Sequence, residues 1–328
     1  RKVPGIHARD EEGLGLRPNI GIRGLNPTRS TKINLLEDGI PLAYAPYGDN
    51  ASYYHPPIER FDHIEILKGA DQIRFGPQTI GGVINYITPA PPQKFGGHIQ
   101  VIGGNRDYFN GKVQLGGKGL LLDFMHKQAD GARENIHSEV RDYNLKYVMG
   151  LTDSQALTLR ANYYTEDSQL TYSGLTTAEF NTFGARYNPF KNDKFNSGRL
   201  GLSATHDLFF TNNLMLTTNL YFARFDRDWW RASSTTTDIQ CGNDFTTARN
   251  NGQAIDVNAC GTQGRLREYY SWGVEPRLRL NHNTLGVDSN LDFGFRAHYE
   301  TQDRHQVNLN QFDVGQNGLR ENNVRETQ

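Results

Sequence analysis

Two arginines near the ends of predicted β-strands offer the clearest binding chemistry in this sequence. Alternate residues of a strand share a face, so Arg267 lies on the same polar face as Ser271 and Glu275, and Arg227 shares the face of Tyr221. The forked guanidinium group suits carboxylates. Because the formal net charge is −1, an anionic ligand would need a local positive cluster, which these arginines supply. The alternative is that both are solvated residues at the edge of the fold.

Other kinds of chemistry are not signalled by the sequence. It contains no nucleophile elbow, phosphate-binding loop, HExxH, paired CxxC or EF-hand loop, and its 10 histidines are scattered. The 35 Lys and Arg residues balance 36 Asp and Glu residues, so no basic field favours nucleic acid. We therefore predict no enzyme activity, no metal site of the protein's own and no nucleic-acid partner. The alternative is an enzyme built on a membrane β-barrel, such as a hydrolase or an acyltransferase.

The 2 cysteines, Cys241 and Cys260, flank a stretch rich in Gly, Asn and Thr. Paired cysteines in such a polar segment are typical of a disulfide in an oxidising compartment. We predict a Cys241–Cys260 disulfide; two free thiols are the alternative.

Long strands must position these side chains. Segments such as 157–166 and 270–280 alternate apolar and polar residues over a length that reaches the roughly 9 to 11 residues of a bilayer-crossing strand. Soluble sandwiches more often use strands of about five or six residues. No apolar run approaches the roughly 18 residues of a spanning helix. The pattern therefore predicts strands that cross a membrane.

The connections between these strands alternate in length. Short ones are expected at 116–119, 152–155, 209–213 and 282–286, and long polar ones at about 129–138, 168–195 and 229–266 and from about 303. This alternation is typical of outer-membrane barrels. Roughly nine strands follow Gly96, and bacterial single-chain barrels have even strand numbers. We therefore predict a truncated part of a large antiparallel membrane β-barrel; a propeller or sandwich is the alternative.

Residues 1–93 have a different sequence pattern from the long alternating segments. Short β-prone runs are broken by Gly and Pro, residues 71–80 read as turns, and a proline-rich hinge follows. This pattern predicts a compact α+β unit ahead of the barrel.

Five short motifs in this unit resemble the plug of TonB-dependent outer-membrane receptors. They are "VPG" (3–5), "IRG" (22–24), "EDGIP" (37–41), "IEILKG" (64–69) and "FGPQTIGGVINYIT" (75–88). The resemblance implies a plug domain over 1–93 and the first strands of the barrel over 94–328. Lys68 stands where the family usually carries Arg, and it lacks the forked geometry for a plug–barrel ion pair. The TonB box of this family would lie upstream of Arg1.

Within the family, the sequence is similar to ferric citrate receptors. The shared stretches are "IRGLNP", "DGIPLAYAPYG", "RFGPQTIGGVIN" and, in the barrel, "YYSWGVEPR". The resemblance implies outer-membrane import of a ferric chelate, with ferric citrate as the expected ligand and the iron carried by the chelator rather than by a protein cofactor. It also implies the TonB–ExbB–ExbD complex as the energy-coupling partner. Another siderophore or metallophore, or an adhesin or phage-receptor barrel, is the alternative.

The same resemblance implies a set of ligand contacts. Arg267 and Arg227 are expected to bind the anion from the barrel, and Gln78, Tyr44 and Tyr47 to approach it from apical plug loops. Gln78 can donate and accept hydrogen bonds. The alternatives are a turn-closing role for Gln78 and packing roles for both tyrosines.

Overall fold

The computed structural model describes two connected parts of the chain, an N-terminal unit and one large sheet. Among the described residues no helix is long and apolar enough to cross a membrane. The described residues are 3–11, 14–43, 53–76, 79–171, 173–191, 193–231, 242–254, 261–310 and 319–327.

The N-terminal unit, residues 3–87, is built from two small sheets and three 3-10 turns. One sheet pairs β1 with β2, and the other has the order β4-β3-β6-β5, with β3 and β6 parallel. The 3-10 turn at Ala70–Phe75 agrees with the turns expected over 71–80. The strands are β1 (Ile6–Arg9), β2 (Asn19–Ile22), β3 (Asn34–Glu37), β4 (Ile40–Pro41), β5 (His63–Leu67) and β6 (Val83–Ile87).

The "EDGIP" motif forms the tight turn between β3 and β4. Asp38 and Gly39 both have positive φ, 48° and 82°, which is the geometry of a type I′ hairpin turn. Asp38 also accepts hydrogen bonds from the backbone and hydroxyl of Thr88, at 2.9 and 2.6 Å. This turn therefore holds the end of the unit where the chain leaves for the large sheet.

The large sheet contains 11 antiparallel strands, β7 to β17. Two short helices lie in the long connections: α1 (Thr177–Phe183) follows β11 and α2 (Gly242–Asn250) follows β13. The strands are β7 (Gly96–Gly103), β8 (Phe109–Gly117), β9 (Leu120–Asp130), β10 (His137–Thr152), β11 (Gln155–Gln169), β12 (Lys194–Thr211), β13 (Leu214–Arg231), β14 (Gly261–Thr284), β15 (Val287–Gly294), β16 (Ala297–Asn310) and β17 (Leu319–Thr327).

The strand count differs from the roughly nine expected. Strands β15 and β16 both pair with β14, one on each half of its length, so they occupy one position interrupted at residues 295–296. Strand β16 continues to Asn310, where a long connection was expected from about 303, and β17 adds a further strand beside it. The last connection was placed too early because polar residues of a strand's interior face look like loop residues.

The large sheet has two chemically different faces. The face against which the N-terminal unit lies, here called the interior face, carries buried polar residues such as Asp142 and Glu166. The opposite outer face exposes large apolar side chains, for example Tyr163, Leu220 and Phe293 at 50, 52 and 71%. This is the two-residue alternation expected of a strand between lipid and lumen.

The N-terminal unit packs on the interior face through a mixed apolar core. Tyr54 lies edge-on to Tyr164, with ring centroids 5.0 Å apart, and 5.9 Å from Phe225. Tyr53 approaches Trp229 with a centroid distance of 6.3 Å. These aromatic contacts join the unit to strands β11 and β13 and position it beside the candidate site.

Candidate ligand-binding site

The register of β13 and β14 places the two predicted arginines side by side. Arg227 is the direct partner of Arg267. Their neighbours on the same face, Phe225 and Tyr269, are 1% and 0% exposed, so both arginines lie on the interior face. Cα atoms of directly paired antiparallel residues are about 4.5–5.5 Å apart. Two guanidinium-bearing side chains therefore share one small patch near the long-connection ends of these strands.

Arg227 is buried beneath the N-terminal unit. It is 1% exposed, and its guanidinium carbon lies 4.0 Å from the ring centroid of Tyr53, a cation–π geometry. This burial contradicts the alternative in which Arg227 is an ordinary solvated residue at the edge of the fold. Arg267 is half-buried, and its Nη1 donates to the Tyr269 hydroxyl at 3.5 Å.

The remaining predicted site residues lie outside the described part of the chain. These are Gln78, Tyr44 and Tyr47 of the expected apical loops and Cys241 and Cys260 of the expected disulfide. Their roles therefore stay predictions.

Buried ion pairs hold the N-terminal unit against the interior face next to this patch. Arg17 pairs with Glu166 of β11 at 2.6 Å, and Tyr164 and Ser168 donate to the same carboxylate. The carboxylate of Glu166 is almost fully buried. Its three donors meet the requirement that a buried charge be paired and hydrogen-bonded.

A larger ionic cluster surrounds Arg60. Its Nη2 lies 2.6 Å from Glu37 Oε2, and its Nη1 lies 3.2 Å from Asp142 Oδ1 and 3.0 Å from Asn144 Oδ1. Burial alone would lower the pKa of Arg60, but the carboxylates of Asp142 and Glu37 raise that pKa above its ordinary value. Arg60 therefore stays charged at the contact between the unit and β10.

The Asp38 turn extends the ionic contact to β10 and β11. Arg160 Nη1 lies 2.8 Å and Lys146 Nζ 3.6 Å from Asp38 Oδ2. Burial alone would raise the pKa of Asp38, but these two cations hold it below its ordinary value. Lys68, by contrast, donates to the Pro4 carbonyl at 2.6 Å inside the N-terminal unit. This contact lies within the unit and is not an ion pair with the sheet.

The two long connections near the patch are tied to each other. Thr176 and Glu179 form a capping box at the start of α1. Arg249 of α2 donates to both carboxylate oxygens of Glu179, at 2.6 and 2.8 Å, and stacks over Phe190 at 5.0 Å. Burial alone would raise the pKa of Glu179, but the bonds from Arg249 and Thr176 hold it below its ordinary value.

Within the described ranges, one group of side chains has the spacing of metal ligands. Ligand atoms of Asp107, Asp130 and His137 lie within 4.8 Å of one another on the exposed surface. A hydrogen bond between His137 Nδ1 and Asp130 Oδ1 at 2.8 Å, and one from Gln128 to Asp107 at 2.7 Å, account for the arrangement without a metal ion.

Sequence reasoning missed one arginine on this patch. Arg304 of β16 is the direct partner of Arg267, so it lies on the interior face in the same row. It has the same parity as His298 and Glu300, which are polar residues of the alternating segment 290–300. Extending that alternation by two more pairs of residues would have found it, had the strand not been ended at about residue 303.

Comparison with known proteins identifies the N-terminal unit. The model of the TonB-dependent receptor plug domain matches residues 1–83. This match ends before the predicted domain boundary at residue 93, which therefore stays a prediction. The vitamin B12 transporter BtuB of Vibrio cholerae is 29% identical over 157 residues, 47% of this chain and 23% of that protein. The ferripyoverdine receptor of Pseudomonas aeruginosa is 27% identical over 141 residues, 41% of this chain and 17% of that protein.

Solved structures agree with the fold of both parts. The unliganded ferric citrate transporter FecA superimposes with a TM-score of 0.80 at 21% identity, over 99% of this chain and 48% of that structure. The pyoverdine outer membrane receptor FpvA of P. aeruginosa PAO1 gives a TM-score of 0.69 at 18% identity, over 93% of this chain and 43% of that structure. The chain thus spans less than half the length of each of these proteins.

These findings confirm the predicted combination of a plug with antiparallel strands of a membrane barrel. Residues 1–83 thus match the plug domain of TonB-dependent receptors, and the strands that follow have the barrel fold seen in the matched solved structures.

Proposed function

We propose that the receptor containing this chain binds and imports an anionic ferric chelate, and that ferric citrate is its ligand. The observation that carries the proposal is the direct pairing of Arg227 with Arg267 on the interior face. Like charges placed directly opposite each other in a sheet are destabilising. A ligand with several carboxylates would offset that repulsion through hydrogen bonds to the fork of Arg267 and through the charge of Arg227 beside it.

The surroundings of the pair support an anion rather than a cation. Tyr269 and Gln302 lie one interior-face position below the arginine pair. From there to the strand ends that lead into the long connections, the described interior-face positions of β12, β13, β14 and β16 include no carboxylate. The nearest carboxylate in the same row is Glu166, which is separated from Arg227 by Ser197 and occupied by Arg17. These described strand positions therefore carry a net positive charge although the whole sequence is nearly neutral.

No reaction is catalysed in this proposal. The chelate enters between the long connections, contacts the arginines and the apical loops of the N-terminal unit, and is released inward when that unit moves. The TonB–ExbB–ExbD complex supplies the energy for this movement. Uptake should therefore disappear in cells that lack the complex, while binding to the purified receptor persists.

The test is equilibrium binding of ferric citrate to the purified full-length receptor. A charge-assisted hydrogen bond contributes about 1.5–3 kcal/mol, and each 1.4 kcal/mol is about tenfold in affinity. Arg267→Ala should therefore weaken binding by about ten- to a hundredfold. Arg279→Ala is the control, because Arg279 lies about 40 Å along β14 and forms two hydrogen bonds with Asp292, at 2.7 and 3.1 Å; it should bind almost as wild type.

Three results would speak against the proposal. Equal losses in both variants would mean that the effect is general. Unchanged affinity in Arg267→Ala would remove the pair from the site. Tight binding of vitamin B12 or of a neutral ferric trihydroxamate, with none of ferric citrate, would assign the receptor to another ligand.

A further inference from the structure

We propose that Arg304 is a third ligand-binding arginine, and that the row Arg227–Arg267–Arg304 selects chelates with several carboxylates over chelates without net charge. This inference rests on the proposed function, which it deepens by adding a residue and a selection rule. The row is hereafter the arginine row.

The register of three strands fixes the geometry of the arginine row. Arg227 pairs with Arg267, and Arg267 pairs with Arg304, so the three residues lie on one line across β13, β14 and β16. Neighbouring strands are about 4.8 Å apart, so the backbone positions span about 10 Å. The forks of Arg267 and Arg304 along this line can engage two carboxylates of one chelate, while the buried Arg227 adds positive charge beside them.

The face on which Arg304 lies follows from its neighbours on β16. Gln302 and Glu300 share its parity and are 5% and 3% exposed, whereas Tyr299, of opposite parity, is 38% exposed on the outer face. Arg304 itself is half-buried, as is Arg267. Both side chains therefore remain accessible to a ligand, while Arg227 is covered by Tyr53.

Further positive charge lies next to the arginine row. Arg265 pairs with Trp229 on one side and with Gln306 on the other, one interior-face position further toward the strand ends. The nearest interior-face carboxylate on β16 is Glu300, four residues from Arg304, and His298 Nε2 lies 3.0 Å from it. Among the described interior-face positions of β13, β14 and β16, those from the arginine row to the strand ends therefore carry cationic or neutral side chains.

The test uses the full-length receptor purified from outer membranes. Its variants are Arg304→Gln, which removes the charge, and Arg304→Lys, which keeps the charge but loses the fork. The matched control is Arg224→Gln. Arg224 lies three residues from Arg227 but on the outer face, where its Nη2 pairs with Glu268 at 2.6 Å.

Arg304→Gln should bind ferric citrate about ten- to a hundredfold more weakly than wild type. The affinity of Arg304→Lys should lie between those of wild type and Arg304→Gln. The Gln variant should also lose part of the salt dependence of binding, because fewer charges attract the anion. Arg224→Gln should bind within about twofold of wild type. A neutral ferric trihydroxamate should bind weakly to the wild type, with the Gln variant no worse. Heat-modifiable migration on gels verifies that each variant is folded.

The outcomes separate this inference from the proposed function. If wild type binds ferric citrate and Arg267→Ala does not, but both Arg304 variants bind as wild type, the third contact is refuted and the proposed function stands. Equal losses in Arg304→Gln and Arg224→Gln would also refute it, because a general charge effect would then explain both. If wild type binds no ferric citrate, the proposed function fails and this inference fails with it.

Discussion

Replacing Arg60 by methionine should loosen the N-terminal unit from the sheet. In the wild type this guanidinium, 3% exposed, contacts the carboxylates of Glu37 and Asp142. Glu37 would keep Arg160 as a partner, but the fully buried side chain of Asp142 would keep only the hydrogen bond from Asn144 at 2.7 Å. Arg60→Met therefore leaves one buried carboxylate without a cation among its described contacts.

Removing one partner of a buried ion pair costs about 3–5 kcal/mol. If this cost destabilises the form in which the N-terminal unit packs against the sheet, the equilibrium between the packed and separated forms shifts by about 10²- to 4 × 10³-fold. Amide hydrogen exchange in β3 and β6 of the full-length protein measures that shift, because exchange reports the free energy of local opening. Exchange there should accelerate by about the same factor.

Two further variants make the measurement decisive. Arg141→Met on the outer face of β10 removes an exposed arginine paired with Glu139, and such surface pairs contribute at most about 1 kcal/mol. Its exchange should therefore stay within about fivefold of wild type. Arg60→Met combined with Asp142→Asn should recover much of the protection, because the uncompensated charge is gone. If Arg60→Met exchanges like Arg141→Met, the ionic contact does not hold the unit in place.

Three other predictions concern the rest of the chain. Burial lowers the pKa of His55 to about 4, so the fold keeps it neutral, and about 3 kcal/mol of stability present above pH 6.5 should be lost as the pH falls toward 4. Exchange protection of β6 should follow that curve, and His55→Gln should flatten it. Arg249→Ala should release α2 from Glu179 and make the connection after β13 more sensitive to protease, with barrel melting unchanged; equal protease resistance would show that this ion pair does not order the connection. Mass spectrometry of unreduced peptides should find a Cys241–Cys260 disulfide. In the chain-entropy model, closing this loop stabilises the folded state by about 3 kcal/mol. Two alkylatable thiols would contradict the prediction.

Much of the fold could be predicted because the strand period is visible in the residues themselves. Tyr163 and Tyr164 are adjacent and chemically alike, yet parity assigned one to each face, and they are 50% and 1% exposed. The type I′ turn at Lys118–Gly119, with φ of 51° and 80°, likewise lies where a short connection was expected. Local patterns of this kind need no knowledge of which strands are neighbours.

The site was predictable only in part because it depends on pairing between strands. Parity placed Arg227 and Arg267 on the interior face, but only the register shows that they are direct partners and that Arg304 extends the row. The ionic contacts of Arg60 join residues up to 84 positions apart in the sequence, and no local pattern signals them. The burial of Arg227 under Tyr53 was likewise invisible, since charged residues near strand ends are usually solvated.

The position of Trp229 gives this protein an intrinsic fluorescent probe. The sequence has 3 tryptophans. Trp229 is 2% exposed, lies on the interior face next to Arg227, and contacts Tyr53, whereas Trp272 is 50% exposed on the outer face. Emission from Trp229 should therefore change when the N-terminal unit moves and be quenched when a coloured iron complex occupies the arginine row. Emission from Trp272 should instead follow the lipid or detergent. A variant with both Trp230→Phe and Trp272→Phe would keep Trp229 alone and report the proposed ligand arrival and movement of the N-terminal unit without any attached dye.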